Sequence, residues 1–451
     1  MSKKKEISLS FSSFSYSSLL KPIVKKILVT NILHKPDKIS YLIAIFVTIV
    51  RYYDYSLFGL SAFIIADNFM PGENNVDKLL NFFILFGISV TARPIGSIVF
   101  GHISDKVGRV VLVKITTIIS ILSVISIAVL PSYRTLGYLS PIVLMLSRMT
   151  FIMSLAGEVD AIKVYVAEKI GTQSRHLASS IISFSAQLGV LVAACMYYFT
   201  TSFSEIAWLW RINFFIGGIF GLLVYFLRES ISESDYYIRS KFKKSNQYEL
   251  SLLEILSQNK SKFLLSLLLN GTVGSSYNFI IIFLNTFVTD ILGIVSSYNA
   301  ALNNITLIMV YAISCLFSGF LADRVSAYKQ IFISLILAMC LVFIMQLLII
   351  HNIFSFPVHL ALVFIVPIYM IPIQVKLQSL FSVNVRVRMS GLSHSLGSMF
   401  LSSTMPFICM FLWKLTKNSY IVYLYFMIIL ILITCLVFII MKASYQNMFN
   451  A

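Results

Sequence analysis

Arg51 and Asp54 stand three residues apart near the middle of a long apolar run, so one helical turn brings both to the same face. Arg93 interrupts the second such run and Arg148 the fourth, where Glu158, Asp160 and Lys163 follow toward one end. Charged groups inside apolar segments of this length are costly, and they face a cavity or a partner. Three kinds of chemistry are open to them: holding a charged solute, exchanging protons, or neutralising one another. A carboxylate in a poorly hydrated cavity can load and unload a proton as its hydration changes, which makes Asp54 and Glu158 candidates for proton coupling. Arg51, Arg93 and Arg148 are candidates for a solute cavity, and Arg51 favours a solute that bears a carboxylate. The competing assignment is structural, with Arg51 neutralising Asp54 and Lys163 neutralising Asp160 one turn away. Tyr52, Tyr53, Tyr55 and Phe58 flank the first charges. They suit either an aromatic cage for a quaternary ammonium or ordinary helix packing.

Helices must carry these residues through a bilayer. Of the 451 residues, 58% are hydrophobic and 12% charged, against about 25% charged in soluble domains. Roughly 20 apolar residues at about 1.5 Å each cross a hydrocarbon core of about 30 Å. Such runs predict spans at 39–66, 79–103, 111–131, 138–163, 176–200 and 210–228, then 262–289, 298–321, 330–350, 355–380, 390–414 and 419–441. The expected fold is an all-α membrane protein with twelve transmembrane helices in two six-helix halves, 39–228 and 262–442. A polar, Ser- and Lys-rich tail (1–38) precedes them, with a candidate interfacial helix near Leu19–Leu33. A charged central loop (229–261) holds Arg239, Lys241, Lys243 and Lys244, and a short tail (443–451) closes the chain.

The net charge of +17 has a geography that argues against nucleic-acid binding. Lys78, Arg134, Arg211, Lys414 and Lys417 fall on one side of the predicted spans and Arg51, Arg93 and Arg148 inside them; the remaining Lys and Arg fall on the other side. That bias sets orientation and makes the central loop and both termini cytoplasmic. The five cysteines lie in apolar stretches without paired spacing and are expected to be small core hydrophobes.

A short motif recurs at the half-length. Gly101-His-Ile-Ser-Asp105-Lys106-Val-Gly108-Arg109 follows the second span, and Gly319-Phe-Leu-Ala-Asp323-Arg324 follows the eighth. Gly101 and Gly108 permit close helix approach and a tight turn. Asp105 can accept backbone N–H groups at a neighbouring helix N-terminus, and Lys106 and Arg109 can pair with carboxylates. Two parallel halves with a site between them suit alternating access.

The first loop resembles the signature of the major facilitator superfamily, Gly-x-x-x-Asp-Arg/Lys-x-Gly-Arg/Lys-Arg/Lys. Tyr52-Tyr53-Asp54-Tyr55-Ser56-Leu57-Phe58-Gly59, Pro71-Gly72, Arg93-Pro94-Ile95-Gly96, Ala156-Gly157-Glu158, Val166-Ala167-Glu168, Trp210-Arg211-Ile212-Asn213-Phe214 and Arg228-Glu229-Ser230 extend the likeness. Together they resemble the metabolite:proton symporter branch, most closely the proline/betaine osmolyte transporters, over about residues 40–445. The resemblance implies proton-coupled symport of a small zwitterionic or anionic solute. It also implies that Gly101, Asp105, Lys106, Gly108, Arg109, Asp323 and Arg324 form a cytoplasmic gate, in a monomer of a bacterial-type inner membrane. Departures fall at Arg51, where the branch has Glu, at Phe151-Ile152, at Ser326-Ala327-Tyr328 and at Gly397. They keep open a transport-deficient remnant or sensor, and a proton symporter for small organic acids.

An enzyme is not expected. The sequence has no Walker A loop, His-Glu-x-x-His or Gly-x-Ser-x-Gly, and the six histidines have no metal-ligand spacing within a helix. No metal or cofactor is expected; the expected partners are a small-molecule substrate, protons and the lipid bilayer.

Overall fold

The structure is a computed structural model that describes residues 35–73, 75–170, 174–201, 208–227, 252–284, 287–288, 292–294, 297–351, 353–382 and 385–449. Among the described residues, twelve helices are long and apolar enough to cross a membrane: α1 (Tyr41–Leu60), α2 (Asn81–Ser104), α3 (Val110–Val129), α4 (Leu139–Val159), α5 (Arg175–Thr200), α6 (Trp210–Leu227), α7 (Glu254–Phe283), α8 (Asn303–Ala322), α9 (Ala327–Ile350), α10 (Phe356–Ser379), α11 (Arg386–Thr416) and α12 (Ser419–Lys442).

Their packing repeats with a shift of six. α1 packs on α5 and α6, α2 on α4, and α3 on α4 and α6; likewise α7 packs on α11 and α12, α8 on α10, and α9 on α10 and α12. The halves meet along two related seams, α2 with α11 and α5 with α8. Each half has its own apolar core, around Phe58, Leu144 and Phe214 in the first and Leu335, Val363 and Phe426 in the second. Leu122, Phe226, Ile333 and Phe407 point outward and exposed, which suits hydrocarbon surroundings and would be a liability in water.

Close approach of α1 to α5 and of α7 to α11 needs glycine at equivalent places. A Cβ on Gly189 would strike the Ile49 carbonyl of α1, and one on Gly397 would strike the Leu267 carbonyl of α7. The unusual Gly397 thus has a packing reason. Long segments bend where their sequence requires it. Pro94 cannot share a continuous helix with the carbonyl four residues back, and α2 breaks at Thr91 between Asn75–Val90 and Ala92–Val107. α7 and α11 pass through π-helical turns at Asn278–Phe283 and Ser398–Ser402. Asn278 Nδ2 joins these turns by donating to the Ser402 carbonyl (2.5 Å) and hydroxyl (3.0 Å).

Several sequence expectations are adjusted. The first span ends at Leu60, and a separate helix, Ala62–Phe69, follows the turn at Ser61. Helix begins at Leu252, inside the stretch read as central loop, and α12 continues as helix to Phe449. Of the five cysteines only Cys315 and Cys409 are buried; Cys195, Cys340 and Cys435 sit on the exposed surface. The tail helix near Leu19–Leu33 and the basic cluster at Arg239–Lys244 lie outside the described residues.

Candidate functional site

Four buried charges meet inside the first half. Arg51 Nε donates to Glu158 Oε1 at 3.0 Å, with the two side chains only 2% and 0% exposed. Thr116 of α3 donates its hydroxyl to Glu158 Oε2 at 2.8 Å, so both carboxylate oxygens are engaged. The helix carrying Glu158 runs on to Ile170. Its Gly157 lies against Phe100 of α2, where any Cβ would collide, and this brings α4 deep into the bundle. Arg148, one further buried cation, donates Nη2 to the Tyr55 carbonyl at 3.2 Å. Its guanidinium lies 4.3 Å from the Phe58 ring centre and 5.2 Å from those of Tyr55 and Phe151. Asp54 is within electrostatic reach of Arg51, Arg148 and Glu158, and its Oδ1 presses on Gly217 of α6.

Two cations and two carboxylates balance in charge, but not in hydrogen bonds. Arg51 Nη1 and Nη2, Asp54 Oδ1 and Arg148 Nε are all buried without a hydrogen-bond partner among the described residues. Buried polar groups are nearly always satisfied, so an unsatisfied set concentrated at one place is where a ligand, water or proton belongs.

The four aromatics flanking Asp54 divide. Tyr53 turns into the bundle, donating its hydroxyl to the Asn213 carbonyl at 2.9 Å. Phe58 stacks on Phe82 at 5.4 Å beneath Arg148. Tyr52 and Tyr55 contact one another at 6.4 Å and reach toward Tyr277 of the second half. Tyr277 packs on Tyr311 at 5.1 Å. The four therefore do not form one cage; two of them, with tyrosines from α7 and α8, flank the interface between the halves.

Arg93 lies on that interface too. Its Nη1 donates to Ser398 Oγ, at the π-turn of α11, at 3.2 Å. One turn along, Ser97 and Ser395 hydrogen-bond across the same seam. Arg93 is thus placed apart from Arg51, Asp54, Arg148 and Glu158.

Each motif segment packs against a helix of the other half. Gly101 meets the backbone of Arg388 on α11, and Gly319 meets Ser180 and the His176 carbonyl on α5. Asp323 sits at the N-terminus of α5. Its carboxylate accepts the backbone N–H of His176 (3.2 Å) and of Leu177 (3.1 Å) and lies 2.9 Å from His176 Nδ1, as the N-terminal dipole favours for an anion. Arg324 stacks over Phe320 at 3.9 Å, and Lys106 is exposed. Gly108, at φ 122°, makes a one-residue turn between Ala92–Val107 and Arg109–Val129 that other residues could not adopt without strain. Lacking that glycine, the second copy turns more widely over 323–326. The side chains of Asp105 and Arg109 lie outside the described residues.

Sequence reasoning missed Thr116, Ser97, Ser395 and Ser398, and passed over His176 as one scattered histidine. A threonine pair, Thr116-Thr117, inside the third apolar run was the available signal for the first. No sequence signal pairs Ser97 with Ser395, 298 residues away.

Two repeated six-helix sets, the first enclosing a buried charge cluster, define a multi-pass membrane protein. The sequence profile of the Major Facilitator Superfamily matches residues 44–407, and the chain belongs to that family. It is 28% identical to the citrate-proton symporter of Salmonella typhi over 54% of this chain and 56% of that protein. It is 30% identical to the glycine betaine/proline/ectoine/pipecolic acid transporter of Dickeya dadantii over 41% of this chain and 38% of that one. The matched stretches thus span about half or less of these two relatives. A Staphylococcus aureus protein provisionally named a proline/betaine transporter is 24% identical over 82% of this chain and 80% of its own. The fold matches that of the proton:xylose symporter bound to 6-bromo-6-deoxy-D-glucose, with a TM-score of 0.73, 15% identity, and coverage of 88% of this chain and 94% of that one.

Proposed function

We propose that this protein is a proton-coupled symporter of a small carboxylate-bearing solute, zwitterionic or anionic, working by alternating access. The carrying observation is the charge-balanced buried cluster in which Arg51, held at Nε by Glu158, keeps both Nη atoms without partners. A planar guanidinium whose Nη1/Nη2 edge is free matches a carboxylate bidentately. Citrate, proline, betaine, ectoine and pipecolic acid, the solutes in the names of the relatives, share that group and little else.

Coupling follows from the charge count. Arg51, Arg148, Asp54 and Glu158 sum to zero, and an arriving carboxylate makes the cluster negative. In a dry interior an uncompensated charge is expensive, and a proton on Asp54, whose Oδ1 has no partner, restores neutrality. Solute and proton then cross together because either alone leaves the cluster unbalanced, in net charge for an anionic solute and locally at Arg51 for a zwitterion, whose ammonium lies away from its carboxylate. Tyr52 and Tyr55 flank the approach from the interface. The contacts of Asp323 with α5 support a gate that closes the motif-loop end, with Gly101, Asp105, Lys106, Gly108, Arg109 and Arg324 completing it by the repeat.

The orientation that fits the charge distribution puts the motif loops, residues 229–261 and both termini in the cytoplasm of a bacterial-type plasma membrane. Six-helix halves at 39–228 and 262–442 flank that loop in a monomer. The deciding experiment is uptake of labelled proline, glycine betaine and citrate into proteoliposomes, with and without an imposed pH gradient. Gradient-dependent accumulation of at least one is expected; equal uptake by empty liposomes for all three would refute the reading.

A further inference from the structure

Asp54 stands one turn from Arg51 on α1 and within electrostatic reach of Arg148, yet among the described residues no hydrogen bond joins it to either guanidinium. Arg51 gives Nε to Glu158, and Arg148 gives Nη2 to the Tyr55 carbonyl. Arg51 Nη1 and Nη2 and Arg148 Nε stay without partners. A buried carboxylate beside open N–H donors ordinarily takes them, so Asp54 is held away from them.

The restraint is on α6. Asp54 Oδ1 lies against the place where a Cβ of residue 217 would stand, and residue 217 is glycine. The carboxylate thus occupies a notch that any other side chain would fill. Tyr53 fixes the register of α1 on α6. Its hydroxyl donates to the Asn213 carbonyl, one turn before Gly217, and its ring borders the notch 3.4 Å from the Cβ position. Gly218 and Gly221 have a different setting, since a Cβ on either would meet the side chain of Ile125 or Ile121 on α3. Of these three glycines, Gly217 is the one turned to a carboxylate.

The groups acting on Asp54 are Arg51 and Tyr53 from α1 and Arg148 and Glu158 from α4. α5 meets α1 at this level through Gly189, and residues 187–193 hold no titratable side chain. Arg211, the cation of α6, is bonded to the Ala128 and Leu130 carbonyls at the end of α3. Asp67 of the short helix after α1 is paired with Lys78. In the notch Oδ1 has no N–H or O–H donor. A neutral carboxylic acid sits there at least cost, whereas an ionised one is drawn to the guanidiniums.

We propose that Gly217 is a positioning residue for proton coupling: its missing side chain seats Asp54 away from Arg51 and Arg148, which keeps Asp54 ready to take a proton and the Nη edge of Arg51 open to a solute carboxylate. The inference rests on the transport reading above and adds to it the residue that sets how readily the coupling proton is taken.

Gly217→Ala fills the notch. The atom it displaces is the end of the Asp54 side chain, which can yield by turning toward the open guanidinium N–H groups, so the variant should fold. A carboxylate drawn from about 6 to about 4 Å from a cation, at an effective dielectric of about 20, gains about a tenfold preference for its charged form. The pH profile of uptake into proteoliposomes, taken at constant pH difference with labelled proline, glycine betaine and citrate as probes, should therefore shift about one unit to the acid side. Half-saturation for the accumulated probe should rise several-fold, because Asp54 now competes for Arg51. Gly218→Ala, which presses on Ile125 instead, should lose stability without moving the pH profile. If Gly217→Ala does not fold, infrared difference spectra of the wild type against Asp54→Asn carry the test. The protonated Asp54 carbonyl should absorb at the high-frequency end of the carboxylic-acid range, as a group without a donor does. A Gly217→Ala profile that does not move to the acid side, an equal shift in Gly218→Ala, or an Asp54 band at the hydrogen-bonded end would overturn the role of Gly217 while leaving transport standing. A wild-type protein that shows no gradient-driven uptake of any of the three probes would overturn both.

Discussion

Glu158→Gln should be among the most damaging single substitutions in the chain, and the structure says which second change repairs it. Glu158 is fully buried and holds Arg51 Nε at 3.0 Å. Unit charges about 4 Å apart attract by about 4 kcal/mol at an effective dielectric of about 20. Removing one partner of a buried pair leaves the other uncompensated and costs about 3–5 kcal/mol. Arg51→Gln should cost a similar amount by taking the cation from Glu158 Oε1 while Thr116 still donates to Oε2. The double variant removes both charges and should recover most of the loss, because replacing a whole buried pair with neutral groups is often near neutral. A double-mutant cycle should therefore give a coupling energy of about 2 kcal/mol or more for Arg51 with Glu158. Asp54, which has no hydrogen bond to Arg51, should couple less. The assay is reversible unfolding in mixed micelles followed by circular dichroism. Additive losses for Arg51 and Glu158, or a larger coupling for Arg51 with Asp54, would refute the pairing.

Asp323→Ala should loosen the loop-end gate, since three contacts at the start of α5 disappear; a helix cap is worth about 1 kcal/mol or more. Spin-label distances between α5 and α8 should show the open population rising several-fold with membrane insertion unchanged. Gly397→Ala should lower thermal stability by about 1–3 kcal/mol through overpacking against the Leu267 carbonyl and Gly271. Gly59→Ala, with nothing within 4 Å of the added methyl, should be neutral or slightly stabilising in the same melt. A cysteine introduced at Ser245 should be shielded from impermeant thiol reagents in intact cells and react after permeabilisation; labelling in intact cells would reverse the topology.

The twelve spans were legible because length and hydropathy alone dictate which segments can cross a bilayer. The motif repeat located two equivalent contact points between the halves for a similar reason, since its glycines and aspartate have local backbone jobs that spacing reveals. Asp323 illustrates this, although its loop lacks the Gly-Arg-Arg that makes the first copy recognisable. The pairing of Arg51 was not legible. Asp54, one turn away, was the nearest carboxylate by sequence, but the hydrogen-bonded partner is 107 residues distant. That choice depends on how α4 approaches α1, which helix periodicity does not encode. Tyr53 and Phe58 were misleading as cage residues for a related reason: neighbours along a helix spread around it, so adjacent aromatics cannot all face one cavity. Gly397 looked like a lost polar residue and is a contact glycine, a role visible only once α7 is beside it.

The central claim is that a solute carboxylate at Arg51 draws a proton onto Asp54. Paired measurements on Asp54→Asn in proteoliposomes, of solute exchange without a gradient and of accumulation driven by an imposed pH gradient, test it most directly. The account predicts that the variant retains downhill exchange of the transported carboxylate solute and loses accumulation against its gradient. Accumulation by Asp54→Asn equal to that of the wild type would contradict it and move coupling to another group.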